Sequence, residues 1–401
     1  MAGMTGKPEL RALTSMRGIA AWFVVLYHIR LSIAGLPAPW VGFFAKGYLA
    51  VDFFFLLSGF VIWLSWSEKF RASGFAAMPG FLHKRVARIW PLHLFMLGCA
   101  VGLAGLFAAT GRQEEVNYPF RELPLHIALV QNWGFTGQLS WNDPSWSISA
   151  ELGAYLLFPL LTLAIDWRRV PNWAVLAAIA ALVALLHATM ARGGAPSLGT
   201  DIPRFGLIRC LIEFSAGTAI CALWLRWKAR PHAPAIISAM IALLIATLWA
   251  AGMPETLAVP ALFAALLLAL ALTSGMRRNP LDNGALHYLG EISYATYLGH
   301  FLLFVVFKLA LVDDPHAVPP ILVALFLLLV LGSSVALYHL IERPAQKWVN
   351  GLYSSPARGG GPFAPSGKWW RGLSPNVTLL GAPPPPRAEE ANGPPPRAGE
   401  E

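Results

Sequence analysis

Long apolar runs alternate with short polar connections along the chain from residue 14 to residue 340. Each run is about 20 residues long, which is the length an α-helix needs to cross the hydrocarbon core of a bilayer. The single-residue alternation typical of membrane β-strands is absent. The pattern predicts an all-α polytopic bundle of about ten transmembrane helices. The ten apolar windows are 14–34, 48–66, 89–110, 147–165, 172–190, 206–225, 234–251, 257–275, 287–311 and 318–340.

Composition supports the membrane assignment. Of the 401 residues, 56% are hydrophobic and 13% are charged, whereas a soluble domain carries about 25% charged residues. Too little polar surface is left to cover a water-soluble core, so soluble enzymes, disordered regulators and disulfide-rich secreted modules are excluded. Beyond Trp348 the chain becomes rich in glycine and proline. We therefore predict a transmembrane domain over 1–350 and a disordered cytoplasmic tail over 351–401.

The basic residues predict an orientation. With the N-terminus placed inside the cell, the inner loops carry 12 lysines and arginines and the outer loops carry five. Positive residues collect in cytoplasmic loops, so ten spans with both termini in the cytoplasm fit best. The net charge of +9 then reflects topology, and no nucleic-acid partner is expected.

Two polar residues in the first span are candidates for chemistry. Arg17 and His28 are eleven positions apart, which places them on one side of a helix and about 16 Å apart along its axis. A guanidinium can clamp phosphate, and an imidazole can act as a general base near neutral pH. Alternatively, Arg17 reaches lipid headgroups and His28 bonds a carbonyl of a neighbouring helix.

Three further ionisable residues lie inside predicted spans. Asp52, near the outer end of the second span, either orients the His28 imidazole, as a carboxylate does in catalytic triads, or caps backbone N–H groups. Glu151 in the fourth span either positions an acceptor hydroxyl or the imidazole, or pairs with an arginine. His300 in the ninth span is either a pathway residue or a histidine satisfied within the core.

The basic segment before the third span contains Arg85 and Arg88, which are neighbours at a spacing of three on a helix. Together they suit a polyphosphate, although a plain basic flank at the inner surface explains them equally well. At the end of the last span, Glu342 is expected to pair with a basic inner residue, and Pro344 is expected to stop the helix. The histidine and cysteine spacings indicate no metal site.

The longest outer connection, 111–146, is polar and aromatic. It is either a solvated connector or a source of stacking and hydrogen bonds for a sugar. Its candidate residues are Glu114, Glu115, Asn117, Tyr118, Asn132, Trp133, Trp141, Asn142 and Asp143.

These segments resemble, in order, those of the acyltransferase-3 family of integral membrane O-acyltransferases. The resemblance covers about residues 10–345. It rests on Arg17-x10-His28, V-D-F-F-F-L-L-S-G-F at 51–60, R-x-x-R at 85–88, W-S-I-S-A-E at 146–151, I-S-Y-A-T-Y-L-G-H at 292–300 and E-R-P at 342–344.

The resemblance implies transfer of an acyl group, usually acetyl from acetyl-CoA, to a hydroxyl of a carbohydrate or lipid-linked glycan; some members act on small molecules such as macrolides. It implies a multi-pass protein of the bacterial inner membrane, in contact with membrane lipid. His28 would be catalytic, with Asp52 or Glu151 assisting it, and Arg17, Arg85 and Arg88 would bind the acyl-CoA donor. The short Pro-rich C-terminal segment does not match the SGNH hydrolase-like domain that some members carry.

A transporter or flippase for a sugar or an anionic ligand is the competing function. Ten spans and intramembrane charges fit it. Secondary transporters, however, are commonly built from internal repeats with paired interrupted helices, and the sequence shows neither feature.

Overall fold

The computed structural model describes residues 10–111, 116–276 and 279–353, and most of these residues are helical. Most helix boundaries follow proline and glycine. Gly74, at a φ of +56°, ends the second long helix, and prolines precede or begin many of the others, as expected from the fixed φ of proline and the freedom of glycine. The helices are α1 (Arg11–Ile29), α2 (Ala38–Phe44), α3 (Ala50–Ser73), α4 (Met78–Ala109), α5 (Leu123–Ala128), α6 (Ser145–Ala164), α7 (Asn172–Arg192), α8 (Ile202–Trp227), α9 (His232–Ala250), α10 (Glu255–Thr273), α11 (Gly284–Glu291), α12 (Ser293–Leu311), α13 (Pro320–Ala336) and α14 (Arg343–Tyr353).

The predicted polytopic helical bundle is confirmed. Nine helical segments among the described residues are long and apolar enough to cross a membrane. One of them, Ala38–Ala109, contains two predicted windows, because only a single tight turn separates α3 from α4. Each of the ten predicted windows therefore falls on its own long helix, and the chain is a multi-pass membrane protein.

The helices run alternately between two ends of the bundle. At the amino end, where α1 begins, Ala12 bonds Ser274 after α10, and Arg71 of α3 bonds the carbonyl of Ile165 after α6. At the opposite end, Lys46 bonds Glu255 at the start of α10. The up-and-down order matches the predicted one. Which end faces the cytoplasm stays a prediction.

Two short backbone segments pair at the opposite end of the bundle, just after α1, and we call this pairing the clasp. Ile33 pairs with Val318 in an isolated parallel bridge, where the Ala34 N–H donates to the Val318 carbonyl at 3.0 Å and the Val318 N–H donates to the Ser32 carbonyl at 2.8 Å. The first window was predicted as helix up to residue 34, but α1 ends at Ile29 because the chain turns here to make these bonds.

Two helix boundaries at the amino end differ from the prediction. α4 begins eleven residues before the predicted window, so Arg85 and Arg88 lie on the helix itself. The window missed this first part of the helix because its basic residues lower the local hydropathy. Pro344 does not stop the last span. A π-helical turn over Leu337–Glu342 precedes Pro344, and the helix continues through it as α14. The predicted tail beyond Tyr353 lies outside the described residues.

Close helix packing depends on glycine at two seams. Between α3 and α8, a Cβ on Gly59 would overlap the Phe214 carbonyl oxygen, and a Cβ on Gly217 would overlap that of Leu56. Between α1 and α11, a Cβ on Gly290 would overlap the Thr14 carbonyl oxygen. Small residues allow such close approach where lipid supplies no hydrophobic drive for helix association.

We expect Gly59→Ala to destabilise the protein by about 1–3 kcal/mol, because the added methyl forces α3 away from the α8 backbone. Thermal unfolding in detergent would measure the change. Gly102→Ala in α4 is the matched control, since a Cβ there meets no neighbour within 4 Å. An equal loss in both variants would show that the seam is not the cause.

Candidate active site

His28 forms a pair with His300 between α1 and α12. Its Nδ1 lies 3.0 Å from the Val24 carbonyl oxygen and 3.1 Å from His300 Nε2. His300 Nδ1 lies 3.0 Å from the Thr296 carbonyl oxygen. The rings of Tyr27 and Phe301 pack edge-on against the His28 ring. His300 is buried, whereas His28 stays partly exposed.

These contacts select a tautomer for each neutral ring. A carbonyl oxygen can only accept, so His300 carries its proton on Nδ1 and offers a lone pair on Nε2. His28 Nδ1–H then donates to that lone pair and to the Val24 carbonyl. The lone pair of His28 therefore lies on Nε2, which no described residue hydrogen-bonds, and this atom is available as a base.

Arg17 and His28 both contact α12, in keeping with their expected positions on one side of α1. Arg17 donates to Ser293 Oγ of α12 at 3.0 Å, and it interacts electrostatically with Glu151 of α6. Glu151 accepts a hydrogen bond from Ser58 of α3. No hydrogen bond or ion pair joins Glu151 to His28 among the described residues, and the arginine that acts on Glu151 electrostatically is Arg17.

The predicted contact of Asp52 with His28 is wrong. Both Asp52 carboxylate oxygens accept from the Arg209 guanidinium of α8, at 2.5 Å each, and both side chains are buried. Arg209 also donates to the Leu198 carbonyl at 2.7 Å. Nor does Asp52 cap its helix, since no side chain caps the start of α3. A fixed, desolvated cation outcompetes a neutral imidazole for the carboxylate.

Two arginines approach the site from the amino end. Arg88 forms a buried ion pair with Glu342, the basic partner expected for that acid, and lies over the Tyr294 ring at 5.0 Å. Arg85 lies 6.0 Å from the centre of the Tyr155 ring. Its Nε is buried without a hydrogen bond among the described residues, and it has no carboxylate partner there. Of the two, Arg85 keeps more hydrogen-bonding capacity for an anion.

Polar side chains link this basic end to the histidine pair. We call this set the polar column. Tyr155 connects Arg85 to Glu151, and Tyr297 connects Ser147, through a 2.8 Å hydrogen bond, to the face of His300. The polar column comprises Arg85, Arg88, Tyr294, Ser293, Arg17, Tyr155, Glu151, Ser58, Ser147, Tyr297, His300 and His28.

The sequence analysis missed Arg209 and Glu213, two buried ionisable residues of α8. Glu213 lies beside Asp52 and Arg209 and interacts with both. Both residues sit inside an apolar window, where a charged residue is itself a signal of a partner. The described residues contain no group of three or more histidine, cysteine or acidic side chains arranged to hold a metal.

The geometry places a histidine with an unoccupied ring nitrogen and a cluster of arginines inside a multi-pass membrane protein. The Acyltransferase domain family (Acyl_transf_3) matches residues 10–339, so the chain belongs to this family and is an O-acyltransferase. Acyltransferase MdmB of Streptomyces mycarofaciens is 31% identical over 74% of this chain and 79% of its own length.

Two other relatives match shorter parts of the chain. Protein 2 in the picA locus of Rhizobium radiobacter is 38% identical over 35% of this chain and 75% of its own length. O-acetyltransferase OatA of Staphylococcus aureus is 28% identical over 38% of this chain and 24% of its own length. No solved structure is significantly similar to the chain.

The contribution of the Asp52–Arg209 ion pair to the packing of α3 against α8 can be measured by substitution. Losing one partner of a buried ion pair costs about 3–5 kcal/mol, whereas replacing both with apolar residues is often neutral. We expect Arg209→Met to be worse than Asp52→Leu, because it leaves two carboxyls, Asp52 and Glu213, without a cation. The double variant should recover the part of the loss that belongs to Asp52, while Glu213 stays without its cation, in detergent melting experiments. Additive losses in the double variant would contradict this coupling.

Proposed function

We propose that the enzyme transfers an acyl group, preferentially acetyl, from acyl-CoA to a hydroxyl of a carbohydrate or a lipid-linked glycan at the bacterial inner membrane. The observation that carries the proposal is the His28 imidazole, held by Val24 and His300 with its Nε2 lone pair unoccupied. General-base catalysis needs this state of the ring.

The proposed chemistry balances within one transfer. His28 Nε2 takes the proton of the acceptor hydroxyl as its oxygen attacks the thioester carbonyl. The C–O bond forms, the C–S bond breaks, and the proton passes to the departing CoA sulfur. His300 is a positioning residue, because its Nε2 accepts a hydrogen bond from His28 Nδ1–H and so fixes the orientation of the His28 ring. Attack by His28 itself, through an acyl-histidine, uses the same lone pair.

The polar column supports a donor that enters from the amino end. Phosphates of CoA carry several negative charges, and guanidinium groups bind phosphate bidentately. Arg85 and Arg17 are the side chains proposed to bind them. Arg88 contributes less in this proposal, because Glu342 already neutralises it. The thioester arm then follows the column toward His28, and the acceptor approaches from the opposite end.

We expect His28→Ala to lower acyl transfer by about 100-fold or more, because removing a general base costs a factor of roughly 10²–10⁴. Washed membranes supplied with labelled acetyl-CoA and a panel of hydroxyl acceptors would measure it. His316→Ala, an exposed histidine at the opposite end, is the control. Normal transfer by a well-folded His28→Ala protein would sink the proposal.

Arg85→Gln should raise the KM for acetyl-CoA by roughly tenfold, since a hydrogen bond between charged groups contributes about 1.5–3 kcal/mol. The KM for the acceptor should stay unchanged. Arg230→Gln, an exposed arginine at the same end of the bundle, serves as the matched control. Equal effects on donor and acceptor would remove Arg85 from the donor site.

A further inference from the structure

The last helical segment is longer than a membrane crossing requires. α13, the π-helical turn and α14 form one apolar helical segment of 33 residues, Pro320–Leu352. At 1.5 Å per residue it extends about 50 Å, whereas the hydrocarbon core is about 30 Å thick. A tilt of about 50° would be needed to keep all of it inside the core, and transmembrane helices tilt by about 0–40°. α14 therefore falls outside the hydrocarbon core, at the amino end of the bundle.

Exposed apolar side chains continue from α13 into α14. They follow one another in steps of three or four residues, so each lies beside the next on the helix surface. Near the end of this row, Trp348 is 68% exposed and Leu352 is 61% exposed. The first part of the row faces lipid, and the last part extends the same apolar surface past the core. We call the row the outer stripe; it comprises Ile321, Leu325, Leu328, Gly332, Ala336, Leu340, Pro344, Trp348 and Leu352.

The polar residues of α14 lie on its other side, against the protein. Gln346 and Asn350 are half-buried, and Asn350 Nδ2 donates to the Gln346 carbonyl at 2.7 Å. α14 packs on α4, where the His83 ring hydrogen-bonds the Val349 backbone. A surface helix of a soluble protein has the reverse arrangement, with its apolar side inward. The apolar side of α14 therefore meets its neighbour outside the described residues.

Basic residues accompany this apolar side. α14 and the first eleven residues of α4, 78–88, contain no acidic residue. They contain five lysines and arginines, of which Lys84 and Lys347 are exposed. Lys347 directly precedes Trp348, and tryptophan and lysine are both typical of the boundary between membrane and water. An apolar stripe flanked by cations fits a bilayer with anionic headgroups, because acyl chains can meet the stripe while phosphates meet the lysines.

Tryptophans in the connection between α4 and α6 have a different environment. Trp133 and Trp141 each donate the indole N–H to a backbone carbonyl of the protein, and Trp141 is buried. The protein itself supplies their contacts, whereas Trp348 presents its ring outward. Glu114 and Glu115, two candidate residues of the same connection, lie outside the described residues.

We propose that α14 lies on the bilayer surface at the amino end, with the end of the outer stripe at the boundary between headgroups and acyl chains and with Lys84 and Lys347 at anionic lipid phosphates. The proposed change of direction occurs at the π-helical turn over Leu337–Glu342, because helices kink at such turns. α14 packs on the part of α4 that bears Arg85, so the membrane surface helps to hold the basic end of the polar column. This placement depends on no step of the proposed acyl transfer.

Quenching of site-directed fluorescent labels in the reconstituted full-length protein measures this placement. Trp348→Cys and, separately, Leu352→Cys each carry a bimane label in a Cys99→Ser background, because Cys99 is exposed and the other two cysteines are buried. The vesicles contain phosphatidylcholine and phosphatidylglycerol. Iodide reports contact with water, and a lipid with a doxyl group near its headgroup reports contact with the upper acyl chains.

Three further labelled variants calibrate depth. Arg230→Cys lies in an exposed connection at the same end, Trp173→Cys lies at the start of a span at that end, and Leu243→Cys lies on the exposed middle of α9. We expect iodide to quench the Trp348→Cys and Leu352→Cys labels several-fold less than the Arg230→Cys label. The doxyl lipid should quench them several-fold more, as it does the Trp173→Cys label.

Two results would overturn the placement on the bilayer. Iodide quenching of the Trp348→Cys and Leu352→Cys labels equal to that of the Arg230→Cys label would place the stripe in water. Shielding of both labels from iodide and from the doxyl lipid would show that protein covers the stripe, either another part of this chain or a partner.

The headgroup contact has its own readout. Doxyl-labelled phosphatidylglycerol should quench the Leu352→Cys label more strongly than doxyl-labelled phosphatidylcholine at the same fraction, because exposed lysines attract anionic lipid. Lys84→Gln combined with Lys347→Gln should abolish this difference, and Arg230→Gln, the matched control, should preserve it. Equal quenching by the two lipids before any lysine is changed would overturn the contact with anionic phosphates.

Discussion

Charge buried within the membrane must find a counter-charge or hydrogen bonds, because hydrocarbon offers neither. Asp52–Arg209 and Arg88–Glu342 meet this requirement in pairs. Each pair joins segments far apart along the chain and so restricts which helices can be neighbours. The four side chains in these two ion pairs already bind one another and are therefore not free to bind a substrate. His28 Nε2 and the Arg85 guanidinium are outside these pairs and lie at the two ends of the polar column, with Arg17 between them.

The sequence predicts the helices well because apolarity is a local property. Ten windows of about 20 residues correspond to ten long helices, and only their limits shift. The largest shift, at the start of α4, arises because a hydropathy window discards an amphipathic segment that carries arginines. The end of α1 shifts because the clasp with Val318 depends on a residue almost three hundred positions away, which no local pattern contains.

The site was predictable only where its geometry lies within one helix. The common side of Arg17 and His28 follows from helical periodicity alone. The partners of Asp52 and His28 do not, because each lies on another helix whose register is set by backbone contacts such as those at Gly59 and Gly290. A carboxylate and an imidazole at similar predicted depth were expected to meet, but the bundle places a guanidinium against the carboxylate and a second imidazole against the first.

The clasp at Ile33 and Val318 has a mechanical consequence. α1 is held against the α11–α12 segment near its beginning by the Gly290 contact and, just beyond its end, by the clasp to the segment after α12. The two histidines therefore lie between two points at which α1 is fixed to the α11–α12 segment and to the residues after it. The two helices cannot separate here without breaking backbone contacts at both points, so the His28 ring keeps its position against His300.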